Sequence, residues 1–257
     1  MSEAILEQFK GQLEELAFDF LPGDLESFLH EESRQERPLL ETLTSLFDCE
    51  ISQRRQRAAK MRLKLSRLPE IKRLEDFKTD NVEGISRKQM NELATLQFIK
   101  RKDNLVFLGP SGLGKSHLLM ALCRNACLEG HTAYFLTCTE LIEQLTKAKY
   151  NRRLKRKLIT LCKPHVLAVD EIGYQKLTPE EAHLFFQLVA ARYEKGPMLI
   201  STNKSFGQWT ELMSEQAIAT ATLDRLLHHA QVFILKGESY RLKNRMKLGL
   251  VPQHNDH

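Results

Sequence analysis

Gly109, Pro110, Ser111, Gly112, Leu113, Gly114, Lys115 and Ser116 spell G-x-x-x-x-G-K-S without deviation. The apolar run Asn104–Leu108 precedes them, and a helical pattern over Lys115–Glu129 follows. A strand, a glycine-rich turn and a helix in that order leave few options. The glycines let the backbone curl so that several N–H groups converge on phosphate oxygens, and the helix adds the positive end of its dipole. All eight residues are expected to line a phosphate site. Lys115 would reach the β- and γ-phosphates of ATP, and the Ser116 hydroxyl is placed for Mg²⁺.

Two further apolar runs end in polar side chains. His165–Glu171 reads HVLAVDE and lies one strand-helix unit beyond the loop. Four apolar residues predict a strand buried on both faces, with Asp170 and Glu171 at its C-terminal end, the end that faces ligand in open α/β sheets. Asp170 would hold Mg²⁺ through water, and Glu171 would deprotonate the attacking water. Met198–Asn203, MLISTN, is a third such strand. Asn203 is expected to bond the attacking water or the γ-phosphate.

Around these motifs the pattern alternates. Strands are predicted at 104–108, 132–136, 166–169, 198–201 and 232–235, with helices at 115–129, 139–161, 179–194 and 211–228. Five strands separated by helices predict an α/β fold with a parallel sheet covered on both faces. Residues 1–68 read as a helical domain suited to protein contacts, with helices at 3–20, near 25–30 and from about 38. A basic connector with one short helix, 86–100, spans 69–103, and an ATPase domain spans 104–257. No apolar run approaches the roughly 20 residues of a membrane span. Five scattered cysteines make no zinc set and fit a reducing compartment, so a cytoplasmic protein is expected.

Charge is unevenly distributed. Residues 1–50 hold thirteen Asp/Glu and three Lys/Arg, a net −10, so the rest carries +15. Lys147–Lys163 contains eight Lys/Arg and no acid, and Arg54–Arg73 has nine against one. Eight cations without a counter-anion repel one another, so a polyanion is the natural partner. With no helix-turn-helix and no zinc finger, sequence-tolerant backbone binding to double-stranded DNA is expected, through Lys147, Lys149, Arg152, Arg153, Lys155, Arg156 and Lys157.

The loop, Asp170-Glu171 and Asn203 in this order resemble an AAA+ ATPase. DEIGY (Asp170–Tyr174), STNKSFGQW (Ser201–Trp209), ATLDRLLHHA (Ala221–Ala230), KGESYRLK (Lys236–Lys243) and the basic stretch Ile51–Phe77 narrow the resemblance to IstB-like transposition helpers, over roughly residues 50–245. It implies an ATP-dependent, DNA-binding homo-oligomer that delivers target DNA to the transposase of its mobile element, with hydrolysis controlling assembly and release. It also implies a site completed by an arginine of the adjacent subunit, Arg225 first and Arg192 second. The 22 residues after the last strand are too few for a helical lid, and IstB-like and DnaC-like proteins share that feature. Arg241 is read as a solvated tail charge. The rivals are a DnaC-like helicase loader, which shares the core motifs, and an ATP-gated DNA scaffold that does not hydrolyse.

Overall fold

The structure is a computed structural model that describes residues 3–18, 22–35, 37–79, 82–237 and 239–240. Arg241 and half of Lys236–Lys243 lie outside the described residues. The chain divides into two compact units, Met1–Met61 and Arg62–His257.

The first unit holds α1 (Glu3–Glu15), α2 (Pro22–Arg34) and most of α3 (Leu39–Leu65). Leu13, Leu25 and Leu46, one from each helix, are buried against one another with Phe9 and Phe28 around them. Lys10 of α1 bridges to Glu26 of α2 at 2.8 Å.

The second unit continues with β1 (Val82–Glu83), α4 (Arg87–Ala94) and α5 (Gln97–Arg101), then β2 (Asn104–Leu108), α6 (Lys115–Leu128), β3 (Ala133–Thr137), α7 (Cys138–Tyr150) and α8 (Leu154–Cys162). It closes with β4 (Val166–Ile172), α9 (Pro179–Arg192), β5 (Met198–Thr202), α10 (Trp209–Met213), α11 (Gln216–Leu227), β6 (Ala230–Ile234) and β7 (Lys236–Gly237). The five-stranded sheet runs β3-β4-β5-β2-β6, and every pairing in it is parallel. β1 and β7 pair antiparallel beside it.

Alternation along each strand sorts the core into two layers. Leu105, Phe107, Phe135, Ala168 and Phe233 pack with α6 and the connector, and Phe107 stacks on Phe233 at 5.1 Å. Val106, Leu136, Leu167, Val169 and Ile200 point the other way, into α7 to α11. Helix starts follow their caps. Ser86, Thr137 and Thr178 each form a reciprocal capping box with the Gln or Glu three residues on, and Pro179 adds a preset φ at the first turn of α9.

Three expected helices are each divided. The 139–161 pattern breaks at Asn151–Arg153, where Arg152 takes φ +55°, and becomes α7 and α8. The 211–228 pattern breaks at Ser214, φ +60°, and 86–100 breaks at Leu96, φ +57°. One left-handed residue in each ends the backbone ladder, although the apolar period runs on through the break.

Candidate active site

β4, β5 and β2 are neighbours, so the three sequence motifs lie side by side at the C-terminal ends of adjacent strands. β2 runs into the glycine loop. Gly114 sits at φ +82°, and a Cβ there would come within 2.6 Å of the Phe77 ring. Gly112, at φ +85°, would bring a Cβ to 2.1 Å from Ser239 Oγ. These positions require glycine for both conformation and space. Lys115, at the first turn of α6, is 6% exposed and donates from Nζ to the carbonyls of Gly109 and Pro110, each at 2.7 Å.

β4 is longer than the apolar run alone predicts and takes in Asp170, Glu171 and Ile172. Its pairing with β5 shifts between Val169 and Ile172, the mark of a β-bulge. Glu171 sits in that bulge at φ +63°. A regular strand would send Asp170 and Glu171 to opposite faces of the sheet; the extra residue re-aims Glu171 to an exposed position on the cavity wall. Holding a non-glycine residue there costs about 1–2 kcal/mol.

Ser201 ties the two carboxylates together. Its hydroxyl donates to Asp170 Oδ1 in a short hydrogen bond, and its oxygen accepts from Glu171 N at 2.8 Å. Asp170 is buried, and one oxygen remains for another partner. The sequence assigned Ser201 nothing. The available signal was its place two residues before Asn203 on the strand beside β4. Asn203 follows β5, and its Oδ1 is buried without a hydrogen-bond partner among the described residues. A buried acceptor left unpaired costs about 1–3 kcal/mol, so a donor that arrives there with ligand or water is favoured.

Glu171 and Ser201 open on a cavity of about 650 Å³ whose wall also includes Gly112, Gly114, Lys115, Ser116, Phe77, Met120 and Tyr240; Asp170 and Asn203 are not part of that wall. The connector forms part of this wall. His117 Nε2 bonds the Arg73 carbonyl at 2.7 Å, and Tyr240 bonds the Lys78 carbonyl. The sequence points to the connector near Phe77–Ile85 for adenine without singling out a residue, because a lone aromatic in a basic connector carries no periodic signal; Tyr240 enters it only as part of KGESYRLK. The residues fit a triphosphate with a divalent cation. Two glycines of the loop meet an ammonium and a hydroxyl, and the connector side of the wall mixes Phe77 and Met120 with Glu70, Lys72, Asp76 and Lys78. Among the described residues no group of three or more His, Cys, Asp or Glu could hold a metal. A cation at Ser116 and Asp170 would therefore need phosphate oxygens and water to fill its shell, which is the habit of Mg²⁺.

Arg225 is elsewhere. It ends α11, which leads into the start of β6, and β6 starts beside the start of β2, at the opposite end of the sheet from the loop. Its guanidinium lies over the Phe186 ring, 4.9 Å from the centroid, and borders a second cavity of about 270 Å³ with Arg101, Lys102 and His229. Arg192 borders this cavity too but has no reach. It is 2% exposed and donates to the carbonyls of Leu161, Pro164, His165 and Pro197 at 2.9 to 3.4 Å. Burial pulls its pKa down to about 10, so it stays charged at neutral pH. The structure thus corrects Arg192 from a second finger candidate to a clamp that joins the end of α8 to the starts of β4 and β5. Arg192→Met should lower stability by about 3 kcal/mol, since it strands several buried carbonyls. A denaturant midpoint within error of the wild type would refute the clamp.

The cationic run divides with its helix. Lys147 and Lys149 end α7, Arg152 and Arg153 form the break, and Lys155, Arg156 and Lys157 begin α8. All are exposed except Lys157, which is half-buried beside Gln144 and whose pKa burial lowers. Lys149 pairs with Glu180 at 2.8 Å.

A family model for IstB-like ATP binding proteins matches residues 11–248. The chain belongs to that family. An ATP-binding protein of insertion sequence IS5376 from Geobacillus stearothermophilus is 43% identical over 205 residues, covering 80% of this chain and 82% of the relative. The IS21 ATP-binding protein of Pseudomonas aeruginosa is 42% identical over 242 residues, covering 94% and 91%. A crystal structure of DnaI superposes with a TM-score of 0.53 at 19% identity, over 68% of this chain and 92% of that one, a likeness of fold alone. This IstB-like chain is accordingly an ATPase that shares its fold with DnaI, and its relatives here are ATP-binding proteins of insertion sequences. No helix among its described residues is long and apolar enough to cross a membrane.

Proposed function

We propose that this IstB-like ATPase is a transposition helper that binds double-stranded DNA with little sequence preference, assembles on it as an ATP-controlled homo-oligomer and presents it to the transposase of its mobile element. The observation that carries the proposal is the pairing of an ATPase site with a separate, exposed array of cations on α7 and α8. Gly109 to Ser116 cradle the phosphates, Lys115 neutralises them, and Ser116 with Asp170 holds Mg²⁺, which supplies charge neutralisation at the γ-phosphate when bound. Glu171 accepts the proton of the attacking water, and Asn203 bonds that water, accepting through Oδ1, or donates from Nδ2 to the γ-phosphate. Arg225, remote from its own loop, completes the site of a neighbouring copy, so nucleotide state and assembly are linked. The acidic Met1–Met61 unit serves protein contacts, to the transposase or to neighbouring copies. The helicase-loader alternative has only a distant likeness of fold behind it.

Binding to DNA should fall steeply with salt, since log K drops by about 0.9 per decade of salt for each phosphate neutralised. The double variant Lys155→Glu, Arg156→Glu should weaken binding evenly across sequences and flatten that slope by roughly 1 for each phosphate no longer neutralised. Fluorescence anisotropy on two unrelated duplexes across a salt series reads both quantities. An unchanged slope would remove α8 from the interface, and weakening on one duplex alone would refute sequence tolerance. Sedimentation with and without a non-hydrolysable ATP analogue tests assembly; a sedimentation coefficient indifferent to nucleotide would sink that part.

A further inference from the structure

Tyr174 has no part in the roles above, yet it spans the mouth of the ATP cavity. It follows Gly173 directly beyond β4, the residue is 52% exposed, and it lines the cavity with Lys115, Ser116 and Glu171. Its hydroxyl lies 2.7 Å from Ser111 Oγ, in the phosphate loop. The side chain therefore bridges the end of β4 to the rim of the loop. Its backbone is held from both sides. A Cβ on Gly173, at φ +100°, would come to 2.6 Å from Lys204 Cγ and 2.9 Å from Asn203 Oδ1, so this turn is seated against the end of β5. Downstream, Leu177 N donates to the Leu212 carbonyl at 2.8 Å, and Ser214 Oγ donates to the Leu177 carbonyl at 2.6 Å.

A hydrogen bond between two neutral hydroxyls at a wet cavity mouth contributes only about 0.5–1.5 kcal/mol. An ionised phosphate oxygen is a far stronger acceptor for a phenol than a serine hydroxyl is. A terminal phosphate that touches Lys115 and Ser116 and is presented to Glu171 has to enter between the loop and the end of β4, the gap that Tyr174 bridges.

We propose that the Tyr174 hydroxyl is a ligand of the terminal phosphate of ATP, that Ser111 is its resting partner, and that exchange from one to the other lets the protein distinguish ATP from ADP. The proposal rests on the assignment of this cavity to ATP. It deepens that assignment by adding a group that ADP cannot engage.

The test is equilibrium binding of a non-hydrolysable ATP analogue and of ADP, each with Mg²⁺, to the full chain and to Tyr174→Phe and Ser111→Ala. Tyr174→Phe keeps the ring and loses the hydroxyl. It should lower the analogue-to-ADP affinity ratio by about tenfold, the worth of one hydrogen bond to a charged acceptor. Ser111→Ala leaves the loop's backbone N–H groups in place, removes the competing partner and should raise that ratio. A bond that merely braces the loop predicts otherwise, because both variants delete the same hydrogen bond and would move the ratio alike. An unchanged ratio in Tyr174→Phe, or an equal fall in both variants, overturns the proposal while the ATP site stands. Failure of the wild type to take up either nucleotide overturns the site assignment, and the proposal with it.

Discussion

Glu171→Gln should bind ATP as the wild type does and lose turnover by about 10²–10⁴-fold, the range over which a positioned general base contributes. The environment of Glu171 makes the separation clean. Its N–H is held by Ser201 and its backbone by the bulge in β4, and neither depends on the carboxylate. Glutamine keeps length and shape and loses the capacity to accept a proton. The ATP-bound form, and any assembly that form supports, should therefore accumulate. Glu171→Gly adds a contrasting arm. At φ +63° glycine is relaxed where glutamate is strained, so the protein should become more stable by about 1 kcal/mol while turnover is lost to a similar degree. Phosphate release, analogue binding and a thermal melt read the three quantities. Wild-type turnover in Glu171→Gln would remove Glu171 as the base. A less stable Glu171→Gly would mean that the side chain repays its own strain through its surroundings.

That strain also marks where sequence reading stops. The runs Val166–Val169 and Met198–Ile200 are apolar enough to demand burial on both faces, so the parallel sheet and its helical covers follow from them. The glycine loop is equally legible, because its spacing has a single conformational solution between a strand and a helix. The bulge is different. It arises from how β4 and β5 register against one another, and no local pattern in HVLAVDEI encodes it. Ser201 is hidden for the same reason. A serine inside a buried strand reads as a small filler until the neighbouring strand brings Asp170 and the Glu171 amide to it. The break at Asn151–Arg153 was concealed by charge: the cations continue through it, and Leu154, Leu158 and Leu161 keep a helical interval on its far side. The two-residue strands β1 and β7 are too short to carry a period of their own. Arg225 was placed by likeness to a family rather than by its surroundings. Its position at the far end of the sheet from the loop keeps it away from the phosphate loop of its own chain, and its action on a neighbouring copy belongs to the proposal.

Lys115→Ala should weaken ATP on the order of 100-fold, because it deletes an ammonium that makes charge-assisted hydrogen bonds to the phosphates. Without nucleotide the same residue has different work. Its Nζ satisfies the carbonyls of Gly109 and Pro110, both bent into the loop, and the side chain is buried. Pro110 is exposed, so water can replace part of what is removed, and the nucleotide-free variant should melt close to the wild type. The large difference should appear only with ligand. A ligand at 100 times its dissociation constant stabilises the folded state by about 2.7 kcal/mol, and a 100-fold loss of affinity at that concentration leaves about 0.4 kcal/mol. Melting curves with and without a non-hydrolysable ATP analogue, at one fixed concentration, separate the two roles. A variant destabilised equally with and without analogue would show that Lys115 serves the loop and not the phosphates. A variant that keeps the full ligand-induced shift would mean that the backbone N–H groups of the loop and the α6 dipole hold the triphosphate without it.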